Sequence, residues 1–303
     1  MKQEFILTIL TPSYNRGELL KQLYKSLIKQ TVSDFQWLII DDGSTDETGN
    51  IVKKLKEEKI IQIDYYYKEN GGKHTAINFS HNYIKGKYVV IVDSDDLLTN
   101  DAVETIVSYW NKYGDDEEIS GIVFQRGDKK NGIKMDNRIS GEYISTMANE
   151  INRGMKGDHC ETVRTDRLKS FLFPVYPNEN FIAEAAMWYS ITKNYKVVYC
   201  DKVVYLCEYL QDGLTKSGRI LHIKNARGCM WHASVFLNSD FNLKIKIKNA
   251  MLYACYAKFS GENRKSAISR IRKGKELVQM FWPAGYLVYK HWKRQYKINY
   301  VRN

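Results

Sequence analysis

The segment Tyr88–Asp96 constrains the fold of this 303-residue chain more than any other. Its first five residues are apolar or aromatic and favour β-structure, which predicts a strand buried on both faces, as in the centre of a mostly parallel sheet. Three carboxylates, those of Asp93, Asp95 and Asp96, follow the strand with no turn residue between. Open α/β sheets bind their ligands at the carboxyl ends of such strands. The segment therefore predicts an α/β fold with an acidic site at one edge of its sheet.

These three carboxylates predict a bound cation. Asp93 and Asp95 are two residues apart, so an extended backbone would direct both towards one group, with Asp96 pointing away unless the chain turns. Acids this close repel one another unless a cation compensates. Mg²⁺ and Mn²⁺ often bind through one or two carboxylates together with substrate phosphates. The alternative is a loop of acids that caps the next helix, where Asn100 and Asp101 already suffice. We favour the metal because the acids follow a buried strand.

The first 115 residues alternate strands and helices four times. Pro12 cannot donate to a β-ladder, so we expect the first strand to end there. Ser44 and Glu47 have the spacing of a capping box at the start of the second helix. The predicted strands are 7–10, 35–40, 61–65 and 88–92, and the predicted helices are 19–30, 47–55, 74–83 and 101–110.

Right-handed crossovers would bring the loops after these strands to one edge of the sheet. Asp42, the turn Gly71-Gly72 and Asp95 are therefore predicted to be neighbours although they are distant in sequence. The chain has neither a GxGxxG nor a GxxxxGK[ST] motif, which argues against the usual dinucleotide and P-loop sites.

The pattern changes beyond Gly127. Pro174 and Pro177 bracket an irregular segment, and the chain after about Leu221 is helical, basic and rich in aromatic residues. Helices are predicted at 145–153 and 181–192, and strands at 119–124, 161–164, 197–199 and 203–207.

The net charge of +11 is unevenly distributed. Residues 244–303 hold 15 Lys and Arg against two acidic residues, so the basic character belongs to the C-terminal tail. Such a tail favours an anionic partner. Five cysteines without a CxxC pair predict reduced thiols. No stretch has the length of a signal-peptide core or of a membrane span, so we expect a cytoplasmic protein.

Five motifs resemble the inverting family 2 glycosyltransferases, which have the GT-A fold. They occur in family order and at family spacing, and they cover roughly residues 5–115. The segment from Asp158 to Thr215, including 212–215, is similar, though more loosely, to the acceptor half of bacterial enzymes that build capsular and exopolysaccharides. The five motifs are Thr11–Arg16, Gln30-Thr31, Ile40–Asp46, Asn70–Lys73 and Asp93–Asp96.

The resemblance assigns roles to individual residues on the donor side. Pro12 and Tyr14 would line the pocket of the nucleotide base, Asp42 would accept a hydrogen bond from that base, usually uracil, and Asp93 would contact the ribose or sugar. Asp95 would bind Mn²⁺ or Mg²⁺. Lys73, near a helix N-terminus, would support phosphate charge, with a solvated surface lysine as the alternative. Arg16 has the same two interpretations.

The chemistry that the resemblance implies is transfer of a hexosyl or N-acetylhexosaminyl group from a nucleoside-diphosphate sugar, with inversion. The acceptor would be a saccharide hydroxyl, carried on a lipid. The family places its base in a Glu-Asp pair, whereas this chain has Glu184-Ala185. Glu184 is our candidate for the base, with Glu179 and Asp158 as substitutes; the alternative is that Glu184 lies on the surface of an amphipathic helix. His74, His159, His222 and His232 show no paired ligand spacing.

We predict a catalytic GT-A domain over residues 1–220, divided into a nucleotide-sugar half (1–115) and an acceptor half (116–220). A helical region over 221–303 would follow, either binding the inner face of an anionic membrane through its basic and aromatic residues or packing as a cap. Two other functions remain open. A nucleotidyltransferase would need a basic glycine-rich loop after the first strand, and a silent binding module would need no base. Nucleic acid is not expected as a partner, because no recognised binding motif accompanies the tail.

Overall fold

A computed structural model describes residues 5–135, 138–155, 157–208 and 218–298. The chain forms two compact units. The first contains the described residues up to 147 together with 155–172 and 191–208. The second contains 148–154, 173–190 and the described residues after 217. This division differs from the predicted boundary at residue 220, because 173–190 group with the C-terminal helices. The assignment of a catalytic domain to 1–220 stays a prediction.

Nine strands of the described chain form one sheet, all of it in the first unit. They are β1 (Phe5–Ser13), β2 (Phe35–Asp41), β3 (Gln62–Tyr67), β4 (Gly86–Ile91), β5 (Leu97–Leu98), β6 (Ile119–Asp128), β7 (Glu142–Ser145), β8 (Cys160–Arg164) and β9 (Lys196–Cys207). Their order is β3-β2-β1-β4-β8-β6-β9-β5, with β7 paired to β9. The first four of this order are parallel throughout, as predicted. β8 then runs antiparallel to both β4 and β6, so β6 points the same way as β4.

Twelve helices lie in the described residues. They are α1 (Gly17–Leu27), α2 (Thr48–Glu57), α3 (Lys73–Ser80), α4 (Ala102–Tyr113), α5 (Met147–Asn152), α6 (Thr165–Lys169), α7 (Ala185–Thr192), α8 (Gly218–Lys224), α9 (Ala226–Val235), α10 (Leu243–Phe259), α11 (Arg264–Ser269) and α12 (Lys275–Gln295). The first four follow strands β1 to β5 in the predicted alternation. Helices α8 to α12 belong to the second unit and confirm the helical C-terminal region.

The core of the first unit lies where apolar strand residues meet α1, α2 and α4. Trp110 of α4 is fully buried and stacks on Tyr88 of β4 with ring centroids 3.9 Å apart. Its indole nitrogen donates a hydrogen bond of 2.9 Å to the Thr162 hydroxyl on β8, which satisfies the polar atom of an otherwise apolar side chain. This packing supports β4, which lies in the middle of the sheet.

The first strand does not end at Pro12 as predicted. Pro12 pairs with Ile40 of β2, and β1 runs to Ser13. Alternate residues of a strand bond to opposite neighbours, and Leu10 bonds towards β4 through the Val92 nitrogen. The nitrogen of Pro12 therefore faces the β4 side, beyond the last pair of β1 with β4, where no donor is needed.

Several predicted helix ends were also wrong. The predicted capping box is absent, because Ser44 accepts from the Asn15 nitrogen at 2.8 Å and Asp46 accepts from the Thr48 nitrogen at 3.0 Å. Helix α1 ends at Leu27, and the side chain of Gln30 instead bonds the Thr99 carbonyl at 2.7 Å. Helix α7 begins at 185 instead of 181, and the two short strands predicted after 196 are one strand, β9.

Helices α9, α10 and α12 form the core of the second unit. Gly285 of α12 is required by close packing, because a Cβ there would lie 2.5 Å from the Met251 carbonyl oxygen and 2.6 Å from the Cβ of Ala254 on α10. Pro283, two residues earlier, cannot bond the carbonyl four residues before it. That carbonyl, of Gln279, accepts instead from the Arg264 guanidinium at 3.2 Å. The proline is therefore tolerated within a continuous helix.

Candidate active site

The loops after β2, β3 and β4 meet at one edge of the sheet. The Asp42 carboxylate follows β2 and accepts from the backbone nitrogens of Gly71 and Gly72, at 3.1 and 2.6 Å. The next residue, Lys73, begins α3, and its ammonium pairs with the carboxylate of Asp93 after β4. A continuous chain of contacts thus joins Asp42, the glycine turn and the acidic segment, which the sequence predicted to be neighbours.

Asp42 is buried and multiply bonded. Besides the two backbone nitrogens, it accepts from the Lys68 ammonium at 2.5 Å. Its own carbonyl accepts from the Asn70 amide at 2.8 Å. Gly43 completes this turn with φ +86°, and a Cβ there would lie 2.6 Å from the Asn70 nitrogen, so only glycine fits. Its Oδ1 atom also accepts from the Thr75 hydroxyl at 3.4 Å, whereas among the described residues Oδ2 accepts from the Gly72 nitrogen alone. A carboxylate oxygen has about two lone-pair sites, so Oδ2 retains capacity for one more donor.

The loop after β1 lies beside this turn, because Ser13 pairs with Asp41 at the ends of β1 and β2. Asn15 locks it in place through two bonds of 2.8 Å, its nitrogen donating to the Ser44 hydroxyl and its side chain accepting from the Thr45 nitrogen. Tyr14 is 47% exposed and offers a ring face, whereas Pro12 is buried within β1.

Arg16 and Asp41 make contacts that maintain the loop structure. The carbonyl of Arg16 accepts from the Leu19 and Leu20 nitrogens at 3.0 Å and so closes the first turn of α1. Arg16 as a whole is half-buried. Asp41 accepts from the Ser44 nitrogen at 2.7 Å and from the Tyr65 hydroxyl at 2.5 Å. The carboxylates of Asp41, the last residue of β2, and of Asp42 therefore have separate partners.

The acidic segment after β4 turns instead of remaining extended. The Asp96 nitrogen donates to the Asp93 carbonyl at 3.1 Å, so the expectation that an extended backbone would align Asp93 with Asp95 does not hold. Burial opposes the charge of Asp93, but the nearby Lys73 ammonium and the Arg126 guanidinium hold the pKa of its carboxyl below the usual range. Lys73 is thus a partner of Asp93 and not a solvated surface lysine.

Asp96 points into the protein, towards β9. Its carboxylate accepts from the Tyr205 hydroxyl at 2.7 Å. Burial, together with the negative charges of Asp93 and Asp95, raises the pKa of Asp96 to about 7, although the bond from Tyr205 and the charge of Arg126 act in the opposite direction. The same hydroxyl of Tyr205 accepts from the Asp93 nitrogen at 3.0 Å. Asp96 therefore supports the turn.

Asp95 differs from both neighbours. It is half-buried, and within the described residues no hydrogen bond or ion pair involves its carboxylate. Its carbonyl accepts from the Lys129 ammonium at 3.1 Å. The described residues also contain no group of three His, Cys, Asp or Glu side chains placed to hold a metal. These residues suit a divalent cation bound through one carboxylate and completed by substrate oxygens, not a cage made by the protein alone.

Arg126 and Tyr205 were not identified from the sequence. The guanidinium of Arg126, on β6, lies 4.3 Å from the centre of the Tyr205 ring, and its Nε donates to the His159 carbonyl at 2.8 Å. Burial opposes the charge of Arg126, but Tyr205 and the carboxylates of Glu161, Asp93 and Asp158 raise its pKa well above the usual value. The predicted strand stopped at Phe124; an arginine just beyond an apolar strand end was the available signal.

Asp158 and Glu184 fall in different units. Asp158, in the first unit, is exposed two residues before β8, and its charge acts on Arg126. Glu184, in the second unit, does not lie within the predicted helix but immediately precedes α7. Its carbonyl accepts from the Met187 and Trp188 nitrogens at 2.8 and 3.0 Å, so Glu184 occupies the capping position of that helix.

Glu179, the substitute base, has both carboxylate oxygens engaged. They accept from the Arg227 and Gly228 nitrogens at 3.0 and 2.9 Å, at the start of α9. These bonds stabilise the positive end of the helix.

His222 stacks on Phe181 with ring centroids 5.5 Å apart, and its Nδ1 lies 3.4 Å from the Tyr256 hydroxyl. The predicted acceptor-side motif at 212–215 lies outside the described residues.

Comparison with known sequences gives a consistent result. Residues 8–171, more than half of the chain, match the family described as Glycosyl transferase family 2. The uncharacterized glycosyltransferase MG060 of Mycoplasma genitalium is 31% identical over 123 residues, covering 39% of this chain and 40% of that protein. The chain therefore spans less than half the length of this curated relative.

A second relative and a solved structure extend the similarity. The Escherichia coli UDP-Glc:alpha-D-GlcNAc-diphosphoundecaprenol beta-1,3-glucosyltransferase WfgD is 27% identical over 197 residues, covering 63% of this chain and 71% of that one. The structure of S. aureus TarS 1-349 in complex with UDP superposes with a TM-score of 0.63 at 18% identity, covering 100% of this chain and 93% of that one. At this identity the superposition shows a shared GT-A fold.

Proposed function

The chain belongs to glycosyl transferase family 2 and is a glycosyltransferase, and on that basis we propose that it transfers a sugar from a UDP-sugar to a saccharide hydroxyl with inversion. The strand-end cluster of Asp42, Lys73, Asp93 and Asp95 is the observation that carries this proposal. It combines a hydrogen-bond acceptor for a base, a cation at a helix N-terminus and an unengaged carboxylate within one edge of the sheet. The name of WfgD includes a UDP-sugar donor, which supports the choice of nucleotide.

The donor would be held by groups that the fold has already positioned. The exposed ring of Tyr14 offers a stacking surface for the base, and Pro12 is the other proposed wall of the base pocket. Asp42 has acceptor capacity left for the N3–H of uracil. Arg16 remains a proposed contact for the donor. Asp93 would accept from a ribose or sugar hydroxyl, while Lys73, held by Asp93, balances phosphate charge.

We propose that Asp95 binds Mn²⁺ or Mg²⁺. A divalent cation there would supply charge stabilisation for the diphosphate leaving group. Glu184 is the proposed base, which takes the proton from the acceptor hydroxyl, and Asp158 is the proposed acceptor-side contact. An acceptor linked to a lipid, as the name of WfgD states for that enzyme, would bring the protein to the inner face of a cell membrane.

Thermal unfolding with a panel of nucleotides tests the donor. We expect UDP with Mn²⁺ to raise the melting temperature more than GDP, dTDP or CMP, and EDTA to remove the effect. Release of UDP from UDP-glucose and UDP-N-acetylglucosamine should depend on the same metal. A larger shift with GDP would contradict the UDP assignment. A shift that EDTA leaves unchanged would contradict the metal.

A further inference from the structure

Helix α12 has two distinct faces. Its buried side chains lie on one face and pack within the second unit, against α10 and its neighbours. The buried residues are Val278, Trp282, Gly285 and Tyr289. The opposite face carries a line of exposed residues at alternating spacings of four and three, which we call the outer stripe. Its members are Glu276, Met280, Pro283, Leu287, Lys290 and Arg294.

The outer stripe is apolar in the middle and basic towards its end. Met280 and Leu287 are 65% and 66% exposed, and exposed Pro283 lies between them. Tyr286, beside the stripe, is 37% exposed. Lys290 and Arg294 follow one and two turns after Leu287. Two apolar side chains this exposed on one helix face leave apolar surface in contact with water. Binding of another apolar surface would remove it from water.

The face is also rigid. The close approach of α12 to α10 at Gly285 and the bond from Arg264 to the Gln279 carbonyl both fix the middle of the helix. A rigid face loses little conformational entropy when it binds. Met280 and Leu287, seven residues apart, are therefore presented together.

The net positive charge of the second unit indicates that the partner of the outer stripe is anionic. Residues 218–298 contain 17 Lys and Arg against three acidic residues, and one of the three, Glu262, pairs with Arg270. Such an excess repels a second copy of the same surface and attracts an anionic one. Nucleic acid would satisfy the charge but offers no apolar layer for Met280 and Leu287. An anionic lipid surface offers both.

We propose that the outer stripe of α12 binds an anionic lipid surface, with Met280, Pro283 and Leu287 in the acyl boundary and Lys290 and Arg294 at the headgroups. The sequence had assigned membrane binding to the basic and aromatic residues of the tail together, with packing as a cap as the alternative. The structure buries Trp282 and Tyr289, and Trp292 lies under the Arg219 guanidinium at 4.1 Å. The stripe goes beyond the proposed sugar transfer, since lipid binding requires neither donor nor base.

Co-sedimentation of the whole chain with vesicles tests the proposal. We expect binding to phosphatidylcholine vesicles that contain phosphatidylglycerol, weakening as salt rises, and much less to phosphatidylcholine alone. Met280→Ser with Leu287→Ser should lower the partition coefficient on the order of tenfold. Lys290→Ala with Arg294→Ala should lower it about fivefold for each charge removed.

Val175→Ser is the matched control, because Val175 is 62% exposed in the second unit but lies outside α12. It should leave vesicle binding unchanged. Circular dichroism should show all variants folded, and UDP-sugar hydrolysis in detergent-free solution should be equal in the wild type and the serine variant. That equality separates this proposal from the proposed chemistry.

Three outcomes would overturn the proposal. The first is no binding of the wild type to phosphatidylglycerol vesicles, and the second is equal binding by the serine variant. The third is an oligomer in sedimentation equilibrium that Met280→Ser with Leu287→Ser dissociates, since the stripe would then be an interface between copies. Tighter binding to duplex DNA than to the vesicles would count against lipid as the partner.

Discussion

The Tyr205 hydroxyl donates to the Asp96 carboxylate at 2.7 Å and accepts from the Asp93 nitrogen at 3.0 Å. One side chain of β9 therefore holds both ends of the acidic turn after β4. Of the three carboxylates in the turn, Asp93 is engaged by Lys73 and Asp96 by Tyr205. The third, the Asp95 carboxylate, makes no hydrogen bond or ion pair with the described residues and so remains available to a ligand.

We predict that Asp95→Asn removes metal-dependent UDP binding without loss of stability. An amide is a weaker ligand for a hard cation than a carboxylate. Loss of a residue that only supports a metal ligand already lowers metal affinity about tenfold, so the affinity for UDP with Mn²⁺ should fall by at least about tenfold. Stability should persist because the carboxylate makes no intramolecular bond in the described residues. Titration calorimetry with UDP and Mn²⁺ measures the change. Asp115→Asn, at an exposed aspartate of the same unit, is the control; equal affinities of the two variants would refute the role of Asp95.

Asp42→Ala should reduce stability as well as UDP affinity. The substitution leaves the Gly71 and Gly72 nitrogens without this acceptor and removes the ion-pair partner of Lys68. Unsatisfied buried groups cost about 1–3 kcal/mol each, so we expect a loss of roughly 3 kcal/mol in the free energy of unfolding. Urea denaturation measures it. Unchanged stability with lost UDP binding would show that the carboxylate serves the nucleotide alone.

Glu184→Gln should slow sugar transfer by about 10²–10⁴-fold and leave donor affinity unchanged, because it removes only basicity. Glu179→Gln should have the opposite signature. It retains one of the two acceptor oxygens at the start of α9 and should cost about 1–2 kcal/mol of stability with little effect on the rate per folded molecule. The rate of sugar transfer and the free energy of unfolding, measured for both variants, distinguish the two roles. Wild-type transfer by Glu184→Gln would move the search for the base to Asp158.

Arg126→Gln should raise the KM for the donor about tenfold, since it removes a cation that faces Asp93, Asp158 and Glu161. Arg126→Lys keeps the charge but loses the planar contact with Tyr205, so its effect should be smaller. Arg167→Gln is the control, because Arg167 lies at the same 4.3 Å from a tyrosine ring, that of Tyr195. Equal KM values for Arg126→Gln and Arg167→Gln would show that Arg126 has no part in donor binding.

The contribution of His74 to the stability of the protein should be lost between pH 6.5 and pH 4, whereas Asp96, whose pKa is raised to about 7, contributes in the opposite direction as the pH falls. Burial lowers the pKa of His74 to about 4, while Asp42 raises it and Lys68 lowers it. The unfolded chain therefore binds a proton that the folded one excludes, and stability is lost as the pH falls through this window, by up to about 3 kcal/mol. His74→Asn should flatten the pH dependence of the unfolding free energy. His291→Asn, at an exposed histidine of α12, should not; the same slope in both variants would contradict the prediction.

Local sequence was sufficient for the alternation of strands and helices and for the position of the acidic segment. An apolar run such as Tyr88–Val92 has the period and residue types of a buried strand, and crossovers of fixed hand bring successive loops to one edge. The adjacency of Asp42 and the glycine turn follows from that rule. Helix ends were less predictable, since Ser44 bonds the loop after β1 instead of a helix, and Gln30 divides its side-chain bonds between α1 and the distant Thr99 carbonyl.

The sequence by itself determined which residue types stand at the ends of the strands; the tertiary structure decided which of them remain available to a ligand. Tyr205 reaches and engages Asp96 across 109 positions of the chain, whereas the Asp95 carboxylate makes no hydrogen bond or ion pair within the described residues. The antiparallel entry of β8 places β6, with Arg126, parallel to β4. These pairings depend on the burial and packing of distant segments, which no local period encodes. For the same reason, only the folded chain shows that α12 buries Trp282 and exposes Leu287.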